Sequence, residues 1–75
     1  MLNPDEQAEV DLRFTYHAPK GDQPQRYEAL RAKAKELATL ITELCPVSRE
    51  QSLGLTHLEE SVMWANASIA RRSEP

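Results

Sequence analysis

Residues 48–72, SREQSLGLTHLEESVMWANASIARR, decide the fold of this 75-residue chain. Ser48 and Gln51 match the capping box S-x-x-E/Q, in which each side chain satisfies a backbone donor that a helix start leaves orphaned. No proline interrupts the next seven turns or so, at roughly 3.6 residues per turn, so the stretch predicts one long helix. Its apolar seam is Leu55, Leu58, Val62, Ala65 and Ile69, spaced 3, 4, 3, 4. Val62, Met63, Trp64 and Ala65 stand consecutively and wrap more of the helix than one neighbour can cover. The helix should therefore touch several partners, with Met63, Trp64 and Asn66 read as oligomer-interface residues. It ends on Arg71 and Arg72. A small chain with such a helix predicts an oligomer that handles something anionic.

Working outward, Pro46 stops whatever precedes. Over about 24–45 the apolar positions are Tyr27, Leu30, Ala34, Leu37, Ile41 and Leu44, spaced 3, 4, 3, 4, 3, a heptad seam. Asp22 or Gln23 followed by Pro24 makes a helix start, since proline is tolerated in the first turn. With about three residues between the two helices, they must fold back antiparallel. Residues 20–23, KGDQ, form a turn. Residues 13–19, RFTYHAP, are extended or turn-like, and residues 1–12, acidic with Pro4 as a breaker, form a loosely held arm or one short helical turn. The fold class is all-α: an antiparallel two-helix hairpin with a short N-terminal arm, one domain over 1–75, assembling into a homo-oligomer. Gly54, inside the second helix, is either a tolerated glycine near a helix start or the mark of a kink or close helix approach.

Size bears on association. A single core is marginal at this length, and one cysteine, Cys45, cannot form an intrachain disulfide. Its place beside Leu44 predicts a buried structural thiol in a reducing compartment. No apolar run approaches the ~20 residues that span a bilayer, and no signal-peptide pattern opens the chain. A soluble protein is expected.

The net charge of −3 counts against a general DNA or RNA binder. Charge is unevenly spread, however. The antiparallel geometry sets Arg26, Arg31, Lys33 and Lys35 at the same end as Arg71 and Arg72, while Glu43, Glu50, Glu59 and Glu60 fall nearer the opposite end. Phe14 and Tyr16 precede the first helix at this basic end. Aromatic faces beside guanidinium groups suit a ligand of flat bases and phosphates. A solvated basic helix surface, with the aromatics capping a small core, is the plainer alternative. His17 and His57 lie far apart with no cysteine or carboxylate at metal-ligand spacing, so no metal site is expected. Thr56, Glu59 and Glu60 read as structural or solvated rather than acid–base groups. No phosphate loop or nucleophile elbow is present, and no catalytic residue or cofactor is expected.

These residues carry a family resemblance. The motifs SRE-x-SL-x-LT-x-LEE and MWAN-x-x-IAR, preceded by FTYHAPKGDQPQRYEALRAKAKELA, resemble the phage anti-CBASS cyclic-oligonucleotide sponges, whose helical hairpin is shared with anti-Thoeris sponges. The resemblance covers about residues 13–72. It implies a homohexamer, in the cytoplasm of the infected bacterial host, that sequesters cyclic oligonucleotides without degrading them. It implies a cyclic dinucleotide held between two protomers, with each base on a tyrosine and the phosphates on basic side chains. Tyr16 of FTYH corresponds to that tyrosine, Arg31 to the basic residue of the YxxLR segment, and Arg72, with Arg71 as the alternative alignment, to the arginine closing the second helix. Lys33 joins them as a further candidate from the basic end. Cyclic trinucleotide sites around the three-fold axis are also implied, without assignable residues. The chain departs from the pattern at Gly54 and Ser61, where the family has alanine, and in its RRSEP ending.

A cyclic dinucleotide with matching bases has two-fold symmetry, and a two-fold protein interface supplies Tyr16 and Arg31 twice. A sponge must outcompete a receptor, which calls for nanomolar binding, roughly −12 kcal/mol. Stacking at ~1–3 kcal/mol per base, with charge-assisted phosphate contacts, reaches that range in a preorganised site. The rival readings are an enzyme acting on the same messengers, a sponge for cyclic ADP-ribose derivatives, and a ligand-free structural oligomer.

Overall fold

The computed structural model describes residues 1–73. These form three helices, α1 (Pro4–Arg13), α2 (Gln23–Leu44) and α3 (Arg49–Arg72), with no strand among the described residues. The chain is all-helical, with three helices rather than the two expected.

The additional helix lies where a loosely held arm or one short helical turn was anticipated. Pro4 occupies the first turn of α1, where its missing N–H costs nothing, so it starts the helix instead of breaking it. Asn3 and Glu6 complete a capping box: Asn3 Oδ1 accepts from the Glu6 amide at 2.8 Å, and Glu6 Oε1 accepts from the Asn3 amide at 3.0 Å. Asp5 and Glu6 sit at the positive end of the helix dipole and Arg13 at the negative end. Glu9 and Arg13 pair one turn apart. These local interactions favour the helix within its own ten residues.

α2 and α3 run antiparallel. At one end Gln23, only 4% exposed, donates from Nε2 to the Ile69 carbonyl at 3.3 Å, while its Oε1 accepts from the Lys20 amide at 3.1 Å. Gly21 turns the chain into α2 with φ at +57°, a left-handed conformation that glycine adopts without strain. At the other end Ser48 caps α3, its Oγ accepting from the Gln51 amide at 3.0 Å. The expected box is only half formed. Gln51 Nε2 reaches instead to the Cys45 carbonyl at 3.0 Å and the Thr42 carbonyl at 3.4 Å, satisfying acceptors that the end of α2 leaves orphaned.

The α3 seam, Leu55, Leu58, Val62, Ala65 and Ile69, is half-buried throughout. The α2 seam is not. Tyr27, Ala34, Ala38 and Ile41 are half-buried, but Leu30, Leu37 and Leu44 are exposed, Leu44 by 75%. A strict heptad drifts about 20° per repeat on a straight helix, so the contact stripe passes from Leu37 to Ala38 and the leucines emerge on one flank. Cys45, expected to be buried, is exposed because it caps α2 at the connection between the two helices. An added Cβ at Gly54 would meet nothing within 4 Å, which leaves the tolerated glycine and removes the close approach.

No apolar side chain is buried among the described residues. The molecule measures 49 × 32 × 15 Å, a single layer of helices each about 10–12 Å across. Its radius of gyration is 16.3 Å, against about 11 Å for a compact chain of this length. Its 6208 Å² of surface compares with about 4,700 Å² for a compact monomer of this mass. Two helices side by side cannot enclose a core; both flat faces remain open.

Candidate functional site

The chain between α1 and α2 crosses the end of the hairpin and there bounds an open cleft of about 600 Å³. The segment contributes Thr15, Tyr16 and His17, α2 contributes Tyr27 and Arg31, and α3 contributes Met63, Asn66 and Arg71. His17 fixes the segment to the end of α1, its Nε2 donating to the Leu12 carbonyl at 2.7 Å. Tyr16 stays 84% exposed, so its ring is available to a stacking partner. Of the sequence candidates, the structure thus sets Tyr16, Arg31 and Arg71 around one space.

Arg72 and Lys33 lie elsewhere. Successive residues are about 100° apart on a helix, so Arg71 can enter the cleft while Arg72 turns aside. Arg72 lines a neighbouring groove of about 490 Å³ with Arg13, Phe14 and Trp64, and Arg71 stands on the ridge common to both. Lys33 is about 200° from Arg31 around α2 and faces away, its Nζ 3.4 Å from Glu36 Oε2. Of the interface candidates, Met63 and Asn66 line the cleft, whereas Trp64 is 68% exposed over the groove. Asn66 Oδ1 is buried with no hydrogen-bond partner among the described residues.

Four arginines at this end are held by carboxylates, while Arg71 makes no ion pair among the described residues. Arg31 pairs with Glu28 one turn away, and Arg26 with Asp22 at 3.2 Å. Glu9 takes two: Arg13 Nε donates to its Oε2 at 2.6 Å, and Arg72 Nη2 to its Oε2 and Oε1 at 3.0 and 3.2 Å. The hydrogen bond from Arg13, then that from Arg72, holds the Glu9 carboxyl below its ordinary range. An anionic ligand exchanges for a carboxylate at Arg31 or Arg72 and meets Arg71 directly.

Arg13 was not among the sequence candidates, although it ends a basic last turn immediately before the aromatic segment. Tyr27 was read only as a seam residue; its large amphipathic ring at a helix–helix boundary is the signal that could have flagged it. Among the described residues no three of His, Cys, Asp or Glu converge as a metal site needs. Among the described residues no helix is long and apolar enough to cross a membrane.

Comparison with curated proteins and with solved structures gives no match. The family model of the Acb2/Tad1 hairpin domain matches residues 6–70, from the first turn of α1 almost to the end of α3. The chain belongs to that family, the anti-CBASS and anti-Thoeris sponges.

Proposed function

We propose that this chain is a non-catalytic sponge that binds cyclic dinucleotides between protomers of a homohexamer and withholds them from CBASS immunity in the infected host. The observation that carries the reading is the meeting of Tyr16, Arg31 and Arg71 around one cleft in a member of this family. A base stacks on Tyr16, and Arg31 and Arg71 receive the phosphates, Arg31 releasing Glu28 to do so. Lys33 has no part in this cleft. Association is supported by the open faces of the hairpin, above all the exposed flank of Leu30, Leu37 and Leu44.

Calorimetry with cyclic dinucleotides, cyclic trinucleotides and cyclic ADP-ribose derivatives tests the ligand. Nanomolar affinity for a cyclic dinucleotide is expected; preference for an ADP-ribose derivative transfers the protein to the anti-Thoeris type, and no binding at all leaves a structural oligomer. Chromatography after heat denaturation should return the nucleotide intact, and a cleaved product would make the protein an enzyme. Sedimentation should give six chains, and Leu37→Glu should lower that number.

A further inference from the structure

Glu9 is the place where α1 touches the binding end. Its carboxylate receives Arg72 through both oxygens, at 3.0 and 3.2 Å, and Arg13 at 2.6 Å. α1 makes no extensive packing contact with α2 or α3, so this ion pair is the chief tie between the N-terminal helix and the hairpin. The two arginines it holds line the groove of Phe14 and Trp64, both largely exposed, and Arg13 also borders the Tyr16 cleft. A carboxylate bound by two guanidiniums beside exposed aromatic rings has the charge and reach of a bound phosphate.

We infer that Glu9 is a specificity-determining residue of this end of the molecule: an internal anion that occupies Arg72 and Arg13 and must release them before a phosphate can bind there. The inference rests on the sponge reading, in which phosphates come to Arg31 and Arg71 beside these guanidiniums. While Glu9 stays in place, anions are received by Arg31 and Arg71, and the Phe14–Trp64 groove offers them Arg71 from its ridge but neither Arg72 nor Arg13. A phosphodiester, with one negative charge and two free oxygens like the carboxylate itself, competes with Glu9 on equal terms, and a terminal phosphate with its higher charge competes better. An exposed ion pair is weak, so the displacement is within reach of an ordinary ligand. α1 then acts as a strap, admitting ligands whose phosphates extend past Arg71 only when they compete successfully for Arg72.

The test is Glu9→Gln, which keeps the shape of the side chain and removes its charge. Inorganic pyrophosphate is titrated into the wild-type protein and the variant, and the Nε–H resonances of the arginines are followed by nuclear magnetic resonance. The Arg72 signal should respond at concentrations on the order of tenfold lower in the variant, the effect of one unit charge removed beside an anion site at the surface. The Arg31 signal should respond at the same concentration in both. In Glu9→Gln combined with Arg72→Gln, the gain in pyrophosphate affinity should vanish. An Arg72 response at equal concentration in both proteins overturns the inference. So does a weaker response in the variant, since Glu9 would then be supporting the groove and not occupying it. Pyrophosphate contains no nucleotide, so failure of every cyclic nucleotide to bind would sink the sponge reading while this comparison still decides the role of Glu9.

Discussion

The two ends of the hairpin answer different demands. At the connection, side chains turn back onto the main chain: Ser48 caps α3 and donates to the Pro46 carbonyl at 2.9 Å, and Gln51 closes the end of α2. At the opposite end Gln23 performs the same service between α2 and α3, but beyond it Phe14, Tyr16 and Trp64 project from the surface among arginines held by carboxylates. Single exposed apolar residues are ordinary, whereas three aromatic rings gathered at one end with a cleft and a groove between them are not. One end is capped by its own polar groups, although Leu44 and Val47 stay exposed beside them; the other presents rings and guanidiniums to its surroundings.

The sharpest way to break this contrast is to truncate the open end. Tyr16→Ala removes a stacking face worth ~1–3 kcal/mol per base, and a two-fold site loses it twice, so cyclic dinucleotide affinity should fall by on the order of a hundredfold or more. Arg31→Ala should cost a similar amount through the phosphates. Both variants should sediment as the wild type does. Unchanged affinity in both by calorimetry would remove the cleft from the binding site.

The closed end should behave in the opposite manner. Ser48→Ala deletes the cap of α3, which costs about 1 kcal/mol, and leaves the cleft untouched. For a domain of this size that lowers the thermal midpoint by ~4–8 °C, measured at fixed protein concentration because association contributes to it. Affinity at temperatures where the variant is folded should not change. A loss of affinity rivalling that of Tyr16→Ala would mean the two ends are not separable.

Legibility in the sequence follows the same division. The all-helical class and the family are written locally, in caps, prolines and 3–4 spacing, and α3 carries its seam as spaced. Two kinds of feature were not legible. α1 was hidden because Pro4 reads as a breaker until Asn3 and Glu6 are recognised as the two halves of a box around it. The choice of Arg71 over Arg72 for the cleft, and of Arg31 over Lys33, depends on the absolute rotation of each helix against residues 14–20. Periodicity fixes which residues share a face; it does not say which face a segment without period will cross. The α2 leucines make the same point, since a heptad read as one stripe divides into a contact stripe and an exposed flank once the helix is straight.

A milder probe concerns the hairpin between its ends. Gly54 has open space where a side chain would stand, and a glycine inside a helix costs about 0.5–1 kcal/mol relative to alanine. Gly54→Ala should therefore raise the thermal midpoint by a few degrees, with affinity at the open end unchanged. A lower midpoint would reveal a partner surface pressed against this position in the assembly.

The smallest effect is local and depends on pH. The carboxyl of Glu9 is held below its ordinary range in the folded protein by Arg13 and Arg72, so its contribution to holding α1 is complete above the unfolded carboxylate pKa and is lost as pH falls through the lowered one. Amide exchange in residues 4–13 should accelerate in that acid window, once the intrinsic dependence of exchange on pH is divided out, while exchange in α3 stays slow. Glu9→Gln should show the faster exchange at all pH values and no such step. A step of equal size in the variant would assign the tie between α1 and the hairpin to some group other than Glu9, and α1 would then belong with the capped part of the molecule rather than with its open end.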